Sequence, residues 1–231
     1  MNLYFHQFWR LFSQYIKIEF ANLERLISAL LFSCTLLIMF VFAQEVTEPS
    51  AVQGYYISQS LLTAMFALQI SFARALEPDT QDGVFDQIRS MSISRGAWFW
   101  AKYGVVIITG GMILIPTLAI AAFFQTDARV ELLTVDMVII DLIALLGLGA
   151  VGVLLSTMML GSGTRQILYP ILYFPLTTPV LISAVEANKM SLIDGATLGT
   201  LMNSWLGLLI IFDIVYITAG FLLFGELVGS D

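Results

Sequence analysis

The stretch MVIIDLIALLGLGAVGVLLSTMML, residues 137–160, holds one charged side chain, Asp141, in its whole length. A helix needs about 20 mainly apolar residues to cross the hydrocarbon core of a bilayer, and this run meets that length. Its apolar residues are continuous and show no ten-residue alternation, which favours a spanning helix over a strand of a membrane barrel. Five comparable runs lie on either side: Leu26–Phe42, Ala51–Ala73, Tyr103–Phe124, Ile167–Val185 and Trp205–Leu227. The expected architecture is therefore all-α and integral to the membrane, with six transmembrane helices in one domain over residues 1–231.

Composition agrees with the runs. Of 231 residues, 58% are hydrophobic and 12% charged, with a mean hydropathy of +0.88. Soluble domains carry about 25% charge, so this chain lacks the polar side chains to cover a water-facing surface. The net charge of −7 argues against a nucleic-acid partner, because a phosphate backbone selects basic surfaces. Cys34, the one cysteine, lies within an apolar run and reads as a small helix residue.

Basic residues are distributed unevenly. Arg10, Lys17, Arg25, Arg74, Arg89, Arg95, Lys102 and Arg165, eight of the ten, fall in segments on one side of a six-span chain. The positive-inside rule makes that side cytoplasmic, and both termini go with it. Val41-Phe42-Ala43 resembles a signal-peptide cleavage site, but the long leader with Glu19 and Glu24 argues for retention. In that leader His6, Arg10, Gln14 and Lys17 recur at helical spacing opposite Phe5, Phe8, Trp9, Phe12, Tyr15, Ile16 and Phe20. This pattern suits an interfacial helix over residues 1–25, lying in the headgroup plane. His6, the one histidine, then contacts headgroups and is not a metal ligand.

The segment from Arg74 to Lys102 differs from the rest of the chain. Glu77, Asp79, Asp82 and Asp86 precede Arg89, and Asp79 or Thr80 can cap a helix whose charges complement its dipole. Val84, Phe85, Ile88 and Met91 share one face of that short amphipathic helix. Anionic cytoplasmic lipid repels such an acidic helix, so docking into a groove on another protein is the better reading.

Ala75-Leu76-Glu77 and Gln81-Asp82-Gly83-Val84-Phe85-Asp86-Gln87, together with Tyr173-Phe174-Pro175-Leu176-Thr177-Thr178-Pro179-Val180-Leu181-Ile182, resemble the haem exporter protein B family, CcmB. The resemblance implies an ABC-2-like permease subunit of the cytochrome c maturation system, in a bacterial inner membrane. It implies that residues 74–102 form a coupling loop received by a separate ATPase subunit, CcmA-like. Glu77, Gln81, Asp82, Gly83 and Phe85, with Asp79 and Asp86 beside them, are the expected coupling residues. CcmC- and CcmD-like membrane proteins and a CcmE-like haem chaperone are the implied partners besides membrane lipid. Haem enters as a transported or partner-bound ligand and ATP binds the partner subunit, so no cofactor is assigned to this chain. The alternative within the same class is a permease exporting lipid, polysaccharide or drug.

Enzyme chemistry finds no support in the residues. Gly147-Leu148-Gly149-Ala150-Val151-Gly152 satisfies G-x-G-x-x-G but lies inside an apolar run with no βαβ unit, so close helix packing is its better reading. No phosphate-binding G-x-x-x-x-G-K-[ST] occurs, and there is no metal-ligand cluster or nucleophile motif; catalytic residues are not expected. Pro170, Pro175 and Pro179 each remove a backbone donor, which predicts a bent or broken fifth span lining an interior. Two acids lie within spans. Asp141 is expected to reach the outer interface, whereas Asp213 is deeper, has no evident basic partner and is a functional candidate; a central acid costs about 2.5–3.5 kcal/mol to insert.

Overall fold

A computed structural model describes residues 2–43, 49–80, 93–125, 132–159 and 165–229. Among these residues the chain is helical, with no strand: α1 (Asn2–Ala21), α2 (Glu24–Phe42), α3 (Pro49–Phe72), α4 (Glu77–Thr80), α5 (Arg95–Phe124), α6 (Val135–Met158), α7 (Arg165–Leu192), α8 (Leu198–Leu201) and α9 (Trp205–Gly229).

The local signals that start and stop these helices are readable. The Ser94 hydroxyl accepts the Ala97 amide at the start of α5, and the Thr134 hydroxyl accepts the Met137 amide at the start of α6. Each satisfies one of the donors that a first turn leaves without a partner. The chain leaves α7 through Gly195, whose φ of 69° is open to glycine at no steric cost. That turn lets the Ala196 amide reach back to the Met190 carbonyl at 2.9 Å.

Five helices, α2, α5, α6, α7 and α9, are long and apolar enough to cross a membrane. The sixth expected span, α3, has 24 residues, a length of about 36 Å, but carries Gln53, Gln59 and Gln69. Its contacts show that it covers the same thickness. Near its start, Gln53 donates to the Leu192 carbonyl at the end of α7, and Gln59 pairs with Gln125 at the end of α5. Past its other end, the Ala75 carbonyl accepts from Lys102 near the start of α5. α3 therefore runs antiparallel to α5 and α7, from one end of the bundle to the other.

The same reasoning sorts both ends of the bundle. The ends of α3 and α6 and the starts of α5 and α7 share one face with α1. There the Arg95 guanidinium donates to the Gly225 carbonyl near the end of α9, at 2.9 Å. That face also holds Arg10, Lys17, Arg25, Arg74 and Lys102, so the basic residues collect where the charge count places them. α1 lies beside the first turns of α5, with Leu11 and Tyr15 buried and His6, Arg10, Gln14 and Lys17 exposed. The polar stripe is as expected, but the aromatic side packs partly on protein.

Close packing at the centre depends on α6. A side chain at Gly147 would meet Asp213 of α9, one at Gly149 would meet Ile107 of α5, and one at Gly152 would meet Phe72 of α3. The three glycines of the G-x-G-x-x-G thus admit three different helices. The helix carrying Pro170, Pro175 and Pro179 is one uninterrupted element of 28 residues, not two half-helices. Within it the hydroxyls of Thr177, Thr178 and Ser183 donate to the carbonyls of Tyr173, Phe174 and Pro179 one turn back, which satisfies each hydroxyl within the helix itself.

Candidate coupling site at the basic face

After α3 the chain makes consecutive tight turns. The amides of Arg74, Ala75, Glu77 and Asp79 return to the carbonyls of Ser71, Phe72, Arg74 and Leu76 at 3.0–3.2 Å. Leu76 is buried and fixes this corner. Pro78 then falls in the single turn of α4, where no amide donor is required. The result holds the base of the 74–102 loop against the bundle and turns the Asp79 side chain inward.

Asp79 meets Lys102 at 2.7 Å, with the two side chains 1% and 3% exposed. The ammonium also reaches the Ala75 carbonyl at 3.4 Å and stands 3.5 Å from the centre of the Tyr15 ring. Such a cation over an aromatic face gains about 2 kcal/mol when desolvated. The Trp98 indole donates to the Tyr15 hydroxyl at 2.9 Å. Burial pushes the Asp79 carboxyl above the usual carboxylate range, against the pull of the Lys102 ammonium and then of the Tyr15 hydroxyl. Burial likewise raises the Tyr15 phenol. One buried node therefore joins α1, the α3–α4 corner and α5.

A second, wetter tier surrounds it. Arg25 at the start of α2 lies 3.7 Å from Glu19 of α1 and 3.7 Å from Glu77 of α4. A cavity of about 20 Å³ beside Lys102, lined by Tyr15, Glu19, Ser71 and Thr109 among others, has room for one water and polar groups to hold it. On the other side of the corner, a cleft of about 330 Å³ opens between α3 and α7, lined by Gln69, Arg74, Glu77, Tyr169 and Pro170 among others.

The expected coupling residues divide accordingly. Glu77 sits half-buried in the Arg25 tier. Asp79, expected to face a partner, is an interior residue because Lys102 neutralises it there. Gln81, Asp82, Gly83, Phe85 and Asp86 lie outside the described residues, as do Val84, Ile88 and Met91. Lys102, counted as a loop base in the sequence, belongs to the second turn of α5.

Both span acids are inside protein. Asp213 is 4% exposed and rests against the α6 backbone at Gly147, where any side chain would take its place. Asp141 does not reach the interface as expected. It is 1% exposed and accepts a hydrogen bond from Asn188 of α7 at 2.6 Å. The apolar surroundings made it look like a residue that must escape, but a buried amide one helix away satisfies it instead. Neither Lys102 nor Asn188 is singled out by sequence; the available signal was a lone polar residue at the edge of each apolar run. Among the described residues no group of acidic, histidine or cysteine side chains has a metal-binding arrangement.

No curated protein matches the chain. The family model described as CcmB protein matches residues 6–225, which takes in the loop, the proline-bearing α7 and all of the spanning helices but the last turn of α9. The chain therefore belongs to the CcmB family, the membrane components of a haem-export ABC system for cytochrome c maturation.

Proposed function

We propose that this chain is the permease subunit on which a separate ATPase acts, and that residues 74–102 are the surface the ATPase engages. Movement of the loop passes through the Asp79–Lys102 pair into α5 and α1. That pair carries the reading: it links the base of an acidic loop to a spanning helix through a buried contact of 2.7 Å. A surface loop tied to the bundle by solvated side chains alone would yield before it moved a helix, because exposed ion pairs contribute about 0–1 kcal/mol.

In this reading the basic face is cytoplasmic and the membrane is the bacterial inner membrane. ATP binds the partner. Haem is carried by the complex or by a CcmE-like chaperone, whose loading or release the movement drives beside CcmC- and CcmD-like proteins. The chain itself contributes no catalytic residue.

Purification from mild detergent should recover an ATPase subunit and a haem-binding partner. Deleting the gene should abolish holo-cytochrome c while apo-chains are still secreted. Replacing Asp82 and Phe85 should release the ATPase without unfolding the permease. Normal cytochromes in the deletion strain would overturn the haem assignment, leaving export of another substrate. An ATPase that stays bound to the doubly substituted chain would overturn the docking assignment.

A further inference from the structure

Asp141 and Asn188 lie on opposite sides of the α6–α7 contact, far from the basic face, and both are buried. The Asn188 amide donates to one Asp141 oxygen at 2.6 Å. Among the described residues two atoms of this pair have no hydrogen-bond partner: the second Asp141 oxygen, Oδ2, and the Asn188 oxygen, Oδ1. Both are acceptors as long as the carboxyl is ionised, so they cannot satisfy each other. A single proton on Oδ2 changes that. The acid then donates to the amide oxygen while the amide donates to the acid, and an eight-membered ring of two hydrogen bonds uses both orphaned atoms at once.

We propose that Asp141 is a resident proton site, held as a neutral carboxylic acid in a cyclic acid–amide pair with Asn188 that clasps α6 to α7. Turning the amide over does not alter the conclusion, since oxygen would then face oxygen and again require the proton. The neighbouring titratable groups offer no substitute. Tyr56 of α3 donates its hydroxyl to the Leu118 carbonyl at 3.2 Å. Lys189, next to Asn188 in the chain, is paired with Glu186 at 2.8 Å on the half-exposed side of α7. Asp213 of α9 rests on Gly147, and Tyr103 of α5 donates to the Leu146 carbonyl at 3.0 Å. With no cation beside it among the described residues, a neutral acid is the form that lipid-embedded protein tolerates.

The clasp is independent of the ATPase reading. It makes Asp141 a structural proton holder and not a waiting anion for a metal or a substrate cation.

Infrared difference spectra of purified wild type against Asp141→Asn test it directly. A protonated-carboxyl carbonyl band should be present in the wild type and absent from the variant; carboxylate bands in its place would overturn the proposal. Stability in detergent supplies a second readout. Asp141→Asn, which can form an amide–amide ring, should melt with the wild type, whereas Asn188→Leu should melt earlier. If Asp141→Asn were as damaging as Asp141→Leu, the site would need an anion and the clasp would be wrong.

Discussion

Replacing Lys102 with Met removes the cation from the buried node while keeping most of the side chain's volume. The Asp79 carboxyl is then left at 1% exposure with no cation beside it. Truncating one partner of a buried ion pair costs about 3–5 kcal/mol, and the lost attraction to the Tyr15 ring contributes to that figure. Asp79 limits the loss by taking up a proton, which places the expected value near 3 kcal/mol. For a chain of this size that corresponds to a fall in melting temperature of about 6–12 °C. The sign of the pH dependence follows. The unpaired carboxyl of the variant has a folded-state pKa above its unfolded one, so stability is retained at low pH and lost as pH rises through the folded value. Thermal melts of detergent-purified protein at several pH values measure both effects. Adding Asp79→Leu should restore most of the loss, because two apolar side chains replace a buried pair at little cost. A double variant as unstable as the sum of the two singles would show that the residues do not act as a pair, and the mechanical link drawn from them would fall. If the link is correct, the restored double variant keeps its ATPase partner but supports little holo-cytochrome c.

Gly147→Ala should destabilise the bundle, because its methyl group takes the place of the Asp213 carboxyl; a second change, Asp213→Ala, should suppress it, and melts of the single and double variants would show whether it does. Arg25→Gln should cost about 1 kcal/mol, less than Lys102→Met, since its two partners stand at 3.7 Å and Glu77 is 40% exposed; a loss as large as that of Lys102→Met in the same assay would contradict the division into two tiers. Trp98→Phe removes the indole donor to Tyr15 and should cost about 1 kcal/mol, read as a small shift in melting temperature and as loss of the shielded tryptophan fluorescence.

Much of the fold was legible because lipid imposes a length. Runs such as residues 137–160 are long enough to cross a membrane, and the basic residues collect at one end of the helix bundle. α3 was also legible as a run, although its glutamines make it less apolar than the others; Gln53 and Gln59 find a carbonyl and an amide partner at the ends of α7 and α5. The node was not legible. Lys102 stands where an apolar run begins, so it reads as a residue marking the membrane edge, and only the inward turn at Leu76 brings Asp79 to it. Asp141 misled for the same reason: a sequence shows that an acid lies in an apolar run but not that Asn188, 47 positions later, comes alongside. The prolines of α7 predicted a bent or broken helix, and the helix is uninterrupted along its 28 residues.

The modest apolarity of α3 has a consequence for biogenesis. Five spans are long and apolar enough to cross a membrane by themselves, while α3 brings three glutamines, and the partners of two of them, Leu192 for Gln53 and Gln125 for Gln59, are synthesised only later. α3, packed against α2, therefore gains its polar partners only as α5 and then α7 are made. The permease is thus assembled around a helix that is retained by its neighbours more than by the lipid.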